Sequence, residues 1–279
     1  MTLEPEQLGK SRTDLGRMLR ELRGRAGLSG DRLARRCAMS QSTISKIETG
    51  RKTPSLVEVE RILRALGAPP DYADEVMALA RVANTEWQVS RELWRRGLEK
   101  RQAELAALEA GATQLRYFLP AMVTGLLAIP EYVRASLEYS PGDVSKTVAR
   151  KLERQAVLYD TAKSFTFLLT EQAVKWAVVE PAAMSVQIDR LASISRLPNV
   201  RIGLIPYGTR MSRGPMNTFT IYDDRLVTVE VFTGRIVFRD SRDIAEHLEI
   251  FALYEQRAVF GEQARELLSE WAEMYREAI

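Results

Sequence analysis

The stretch Ser40 to Gly50, SQSTISKIETG, constrains this chain more than any other. Ser40 is a good helix N-cap, Ile44 and Ile47 stand three apart and share one helical face, and Gly50 ends the segment just past Thr49. The opposite face carries Gln41, Ser42, Thr43, Ser45 and Lys46, all able to donate hydrogen bonds. A glutamine amide can pair with adenine through two hydrogen bonds in the major groove. A polar face on a surface helix is ordinarily just solvated, so the flanks decide its meaning. Upstream, GLSGDRLARRCAMS gives a second helix starting near Ser29 or Gly30, with Leu33, Ala34 and Cys37 on one face and a turn at Ala38 and Met39. Helix, tight turn, helix is the order of the helix-turn-helix plan.

Farther upstream, TDLGRMLRELRGRAG places Leu15, Leu19 and Leu22 at helical spacing, with Arg17, Arg20, Arg23 and Arg25 between them. Downstream, RKTPSLVEVERILRALG starts a helix at Thr53 and Pro54 and buries Leu56, Val59, Leu63 and Leu66. PDYADEVMALARVAN adds another helix with Tyr72, Val76, Leu79 and Ala80 on a stripe. Four or five short helices around one small core are expected. Charge follows the same boundary. The whole chain has a net charge of +3, yet residues 10–64 hold 14 Lys and Arg against 6 Asp and Glu, a net of +8. Basic charge gathered on one small helical region is what phosphate binding requires.

The run LRELRGRAGLSGDRLARRCAMSQSTISKIETGRKTPS resembles the lambda-repressor and Cro-like (XRE) helix-turn-helix family, over residues 13 to about 67. The resemblance implies that Gln41, Ser42, Ser45 and Lys46 face the bases and that Arg51 and Lys52 meet phosphate. It also implies that Arg23 pairs with Glu48 and touches the DNA backbone. Two residues depart from the pattern: Gly30 stands where the family commonly has Gln, and Ala38 replaces a frequent turn glycine. If φ at Ala38 is positive, the departure costs about 1 kcal/mol.

The 279 residues suffice for two domains, and 46% hydrophobic composition can supply a core for each. The expected division is residues 1–84 as the helix-turn-helix domain, 85–110 as a helical linker and 111–279 as a sensing or partner-binding domain. The first dozen residues, MTLEPEQLGKSR, are expected to be a flexible arm. Within the linker, Trp87 and Trp94 stand one heptad apart, with Leu98, Leu105 and Leu108 giving partial rows. That pattern fits a short coiled-coil seam or a connector helix packed on its own domains. Beyond Gly111, strands and helices alternate: SFTFLLT, VRIGLIPY, NTFTIYD and RLVTVEVFTGRIVFRD are strand-like, with a turn at Asp223 and Asp224. The fold class is therefore a mainly α, lambda-repressor-like first domain followed by an α/β or α+β domain of about five strands.

This second half also carries a resemblance. TGLLAIPEYVRASL, KLERQAVL, LLTEQAV, LPNVRIGLIPY, FTIYDDRLVTVEVFTG and the Ile244 to Ala258 helix resemble the C-terminal domain of actinobacterial WhiJ-type, antitoxin-like regulators. AMVTGLL departs from that family in lacking a Pro before the Gly. The resemblance implies regulators often encoded beside a small partner protein.

An enzymatic second domain is the competing class. His247 is the only histidine and Cys37 the only cysteine, which excludes histidine metal clusters and an intramolecular disulfide. Nucleophile-elbow, phosphate-loop and zinc-protease motifs are absent. No metal and no cofactor is expected. The remaining ligand-site candidates are Glu171, Arg210, Arg213 and Glu230, the last on a strand face with Thr228 and Phe232. Arg210 and Arg213 sit in a loop, TRMSRGPMN, that could act as a lid. Without an apolar run of about 18 residues, the chain is expected to be cytoplasmic and away from membranes. The expected protein is a transcriptional regulator that binds a near-palindromic operator in double-stranded DNA as a homodimer. Its second domain takes a small-molecule effector or a small acidic protein, the latter in an antitoxin-like autoregulator. The dimer contact is expected mainly after residue 85, either through the linker with Trp87 and Trp94 or through Phe251, Tyr254, Phe260, Leu267, Trp271 and Tyr275, unless these aromatics serve the chain's own core.

Overall fold

The computed structural model describes residues 11–89, 98–140 and 142–278. The chain forms two compact units, residues up to 88 together with 236–244, and residues 89–235 together with 245–279.

The first unit contains α1 (Ser11–Arg25), α2 (Gly30–Arg36), α3 (Gln41–Glu48), α4 (Leu56–Leu66) and α5 (Pro70–Asn84), then β1 (Thr85–Val89), whose last residue lies past the unit boundary. One apolar cluster joins the five helices: Leu15, Leu19, Leu22, Leu33, Ala34, Cys37, Ile44, Ile47, Val59, Leu63, Val76 and Ala80 are all buried. Each of the three middle helices is capped by a serine. Ser29, Ser40 and Ser55 accept from the backbone N–H of Arg32, Thr43 and Glu58, and Glu58 returns a bond to the Ser55 N–H. The fourth helix thus starts at Leu56 behind Ser55, two residues later than Thr53 and Pro54 suggested. Ala38 does adopt a positive φ, 50°. A correction falls on the linker, because Thr85–Val89 is a strand and not helix. The buried amide of Asn84 donates to Ala80 O and Pro54 O, each at 2.9 Å, which pins the end of α5. Thr, Trp and Val then follow, all residues that suit extended backbone. Trp94 lies outside the described residues, as does the side chain of Trp87, and with them the coiled-coil reading.

The second unit opens with α6 (Leu98–Gly111) and contains β2 (Gln114–Leu119), α7 (Pro130–Ala135), α8 (Ser145–Arg154), β3 (Ser164–Thr170), α9 (Glu171–Lys175) and α10 (Pro181–Ile194). It continues through β4 (Val200–Ile205), β5 (Thr218–Tyr222) and β6 (Leu226–Val231), while β7 (Gly234–Phe238) and α11 (Ser241–Glu255) straddle the unit boundary and α12 (Gly261–Arg276) closes the chain. Within this unit the sheet order is β6-β5-β2-β3-β4. Strands β2, β3 and β4 are parallel, and β5 and β6 add antiparallel neighbours at one side. This is an α/β sheet with helical crossovers between its parallel strands.

Alternation along β2 divides the sheet faces. Leu115, Tyr117 and Leu119 join a large core with Phe167, Ile188, Leu191, Leu268 and Trp271. Phe118 belongs to the other face, where it stacks on Tyr254 of α11 at 4.2 Å and meets Phe219 at 5.2 Å. The expected dimer surface is corrected here. Phe251, Tyr254 and Trp271 are buried, and Phe260, Leu267 and Tyr275 are half-buried, because the helices that carry them cover the two faces of their own sheet. Asp223, φ 53°, holds the β5–β6 turn. Its Oδ1 accepts from Thr113 N, Thr113 Oγ1 and Gln114 N, so the carboxyl serves the fold. Burial would raise its pKa, but these bonds turn the shift downward.

Candidate nucleic-acid interface and the cavity of the second unit

Three contacts set the pose of α3. Ile44 and Ile47 sink into the core. Arg23 of α1 donates through Nε to Glu48 Oε1 at 2.6 Å and through Nη2 to Oε2 at 2.9 Å, a two-point bridge that also raises the arginine pKa. Its third nitrogen donates to Leu28 O at 2.8 Å, so one side chain ties α1, the loop before α2 and the end of α3. The remaining contact is a glycine that sequence reasoning passed over. A Cβ at Gly16 would lie 2.6 Å from Ile47 O and 2.9 Å from Glu48 O, so only glycine lets α1 approach the backbone of α3 this closely. Its one sequence signal is its place inside an otherwise strong amphipathic helix, where glycine is costly.

The residues expected to contact DNA fall into two sets. Gln41, Ser42, Ser45, Lys46 and Arg51 are exposed, and none spends its side chain on a hydrogen bond or ion pair among the described residues. Thr43, Arg23 and Lys52 are already engaged: Thr43 Oγ1 lies 2.8 Å from Ser40 Oγ, Arg23 holds Glu48, and Lys52 Nζ donates to Glu58 at 2.7 Å. The N–H groups of Arg51 and Lys52 both donate to Lys46 O, which folds the loop back against the end of α3. At Gly30 a Cβ would stand 4.0 Å from the Gln41 amide nitrogen. The missing side chain leaves a groove of about 240 Å³ lined by Arg20, Arg23, Gly30, Gln41, Ser45 and Glu48.

In the second unit a cavity of about 400 Å³ lies between the Tyr117 face of β2, β5 and β6 and the helices α6, α7 and α8. Of the four ligand-site candidates only Glu230 lines it, together with Thr228, as their alternation required. Phe232 lies beyond β6 and is exposed. Glu171 is a structural group: it accepts from Tyr207 N at 2.8 Å and from Lys175 Nζ at 3.0 Å. Arg210 and Arg213 are exposed in a loop whose backbone is held by Tyr254, with the hydroxyl 3.2 Å from Arg213 O and 2.9 Å from Gly214 O. The loop does not reach the cavity, because its anchor is on α11 against the opposite face of the sheet.

Helix, turn and helix, with an unengaged polar face on the second, make this a helix-turn-helix protein of the DNA-binding regulator class. The family model described as Helix-turn-helix domain matches residues 14–76, and that described as Domain of unknown function (DUF5753) matches residues 102–270. The latter spans more than half of the chain, which therefore belongs to the DUF5753 family. An uncharacterized HTH-type transcriptional regulator from Methanothermobacter thermautotrophicus is 44% identical over 50 residues, 18% of this chain and 72% of that protein. Among solved structures, the archaeal chromatin protein TrmBL2, described as showing a novel mode of DNA binding, aligns at 11% identity with a TM-score of 0.33. That alignment covers 72% of this chain and 64% of TrmBL2, so this chain spans less than two thirds of it. Nuc, a phospholipase D family member from Salmonella typhimurium, aligns at 13% identity and a TM-score of 0.35, over 63% of this chain and 97% of Nuc. Likenesses this weak carry no argument. Among the described residues no group of three or more His, Cys, Asp and Glu is placed to hold a metal, and no helix is long and apolar enough to cross a membrane.

Proposed function

We propose that this chain is a sequence-specific transcriptional regulator of the lambda-repressor and Cro-like type, with α3 as its recognition helix and the second unit, of the WhiJ-like type, as its effector domain. The observation that carries the reading is the unengaged side chains of Gln41, Ser42, Ser45 and Lys46 on a helix held rigidly by Arg23, Glu48 and Gly16. Polar groups without partners on a fixed helix are those that base edges can satisfy. Arg51 and Lys52 extend the contact to phosphate, Lys52 by leaving Glu58. The test uses a duplex selected in vitro by the full chain. Gln41→Ala should cost about 1–3 kcal/mol on the selected site and relax preference at one base pair, whereas Arg51→Ala should weaken selected and random duplexes alike. Equal losses on both duplexes for Gln41→Ala would remove α3 from base reading.

A single helix-turn-helix of this size covers one half-site, so we propose a homodimer on a near-palindrome with recognition helices about 34 Å apart. Sedimentation of the full chain at micromolar concentration should give twice the monomer mass. A monomer that protects a single half-site in footprinting would overturn this part of the reading.

A further inference from the structure

The cavity of the second unit has two unlike walls. Leu105, Leu119, Val123, Ala128, Val133 and Leu137 form an apolar one, and Thr218, Thr220, Thr228, Tyr222 and Glu230 form a hydroxyl-rich one. Two ion pairs lie in its lining. Deeper, Arg154 donates through Nε to Glu109 Oε2 at 3.0 Å and through Nη2 to Oε1, while its Nη1 donates to Gln102 and Tyr117 donates to Glu109 at 3.4 Å. Nearer solvent, Arg101 bridges Glu230 at 2.6 Å. Both carboxylates are therefore matched by arginines.

The third cation of the lining has no such match. Lys151 Nζ reaches only the hydroxyl of Ser136, at 3.3 Å, and no carboxylate among the described residues forms an ion pair with it. Burial, then the like charges of Arg154 and Arg101, lower its pKa to about 8, and the opposing pull of Glu230 is the smallest of these influences. The groups that act on it are thus Ser136 just past α7, Arg101 of α6, Arg154 of α8 and Glu230 of β6, while Tyr132, Glu109, Tyr117 and Tyr222 share the cavity lining. A half-buried ammonium without a counter-ion costs the fold free energy that a bound anion would return. Cavities of about 300–1,000 Å³ with an apolar wall and a few convergent polar groups are typical small-molecule sites.

We infer that this cavity binds a small organic acid, its anionic head on Lys151 and Ser136 and its apolar body against the Leu119, Val133 and Leu137 wall. The regulatory role of that site rests on the reading of the chain as a DNA-binding regulator, whereas its occupancy does not. Calorimetry on the full chain with naphthalene-2-carboxylate and its neutral counterpart 2-naphthylmethanol tests the site. Wild type should bind the carboxylate at least tenfold more tightly than the alcohol. K151M should bind the two alike while melting at a higher temperature than wild type without ligand. The preference should also weaken as pH rises through 8, where Lys151 loses its charge. Failure of the carboxylate to bind at millimolar concentration, equal affinities in wild type, or a K151M protein that keeps the preference each overturns the inference. A K151M protein that melts lower would show Lys151 to be structural and also overturns it. Gel shifts of the same proteins on the selected duplex read the regulator assignment separately: loss of DNA binding by wild type sinks that assignment and leaves the calorimetric result standing.

Discussion

The recognition helix and the cavity are both built from polar side chains, and they treat them in opposite ways. On α3 the outward groups of Gln41, Ser42, Ser45 and Lys46 bond to none of the described residues, because water satisfies them at no cost until a partner displaces it. In the cavity the carboxylates of Glu109 and Glu230 are each held by an arginine, Arg154 and Arg101, because an orphan charge there is expensive. Lys151 is the departure, since among the described residues it meets the Ser136 hydroxyl and pairs with no carboxylate. An unmatched group therefore means little on a surface and much in an interior.

The sharpest way to break this comparison is to orphan a second buried charge. Glu109 is 2% exposed, so Arg154→Met would strand its carboxylate, with an expected loss of about 3–5 kcal/mol in urea denaturation of the full chain. A loss below about 1 kcal/mol would mean that water already reaches the pair. Removing the existing orphan should do the reverse. With a folded pKa near 8 against 10.5 for an ordinary lysine, protonated Lys151 should cost the fold up to about 3 kcal/mol below pH 8, less where solvent in the open cavity screens its charge. The folded state gives up this proton first, so the penalty fades between pH 8 and 10.5 and is gone above. K151M should accordingly be more stable than wild type by about 2–3 kcal/mol at pH 7 and by little at pH 11, read by denaturation at both pH values. A pH-independent difference would trace it to packing. The smallest effect belongs to the seat of α3. Gly16→Ala gains about 1 kcal/mol of helix propensity but presses a methyl into Ile47 O, for a net loss of about 1–2 kcal/mol in thermal melting and weaker DNA binding. Unchanged melting would show that α1 can shift away from α3 without consequence.

Legibility followed the range of each interaction. The cap at Ser40, the start of α2 near Ser29, the buried faces of α1 to α4 and the turn at Asp223 rest on residues a few positions apart and could be read directly, whereas the positive φ of Ala38 was only a condition drawn from the family pattern. Glu230 was reachable too, since alternation along β6 fixes its face. Even the Arg23–Glu48 bridge came from resemblance to a family pattern and not from spacing.

The amino-acid order by itself determined the helix-turn-helix, the strand-rich second half and which side chains α3 turns outward, because period and capping are local properties of the chain. Tertiary structure alone decided the rest. Glu109 meets Arg154 across 45 positions and Arg101 meets Glu230 across 129, so the cavity exists only once β2, β5 and β6 lie side by side beneath α6 and α8. The same holds for the aromatics of α11 and α12, whose spacing shows an apolar face but not what covers it. Two sheet faces do so, and which helix covers which face is set by strand order, a property that no local pattern encodes.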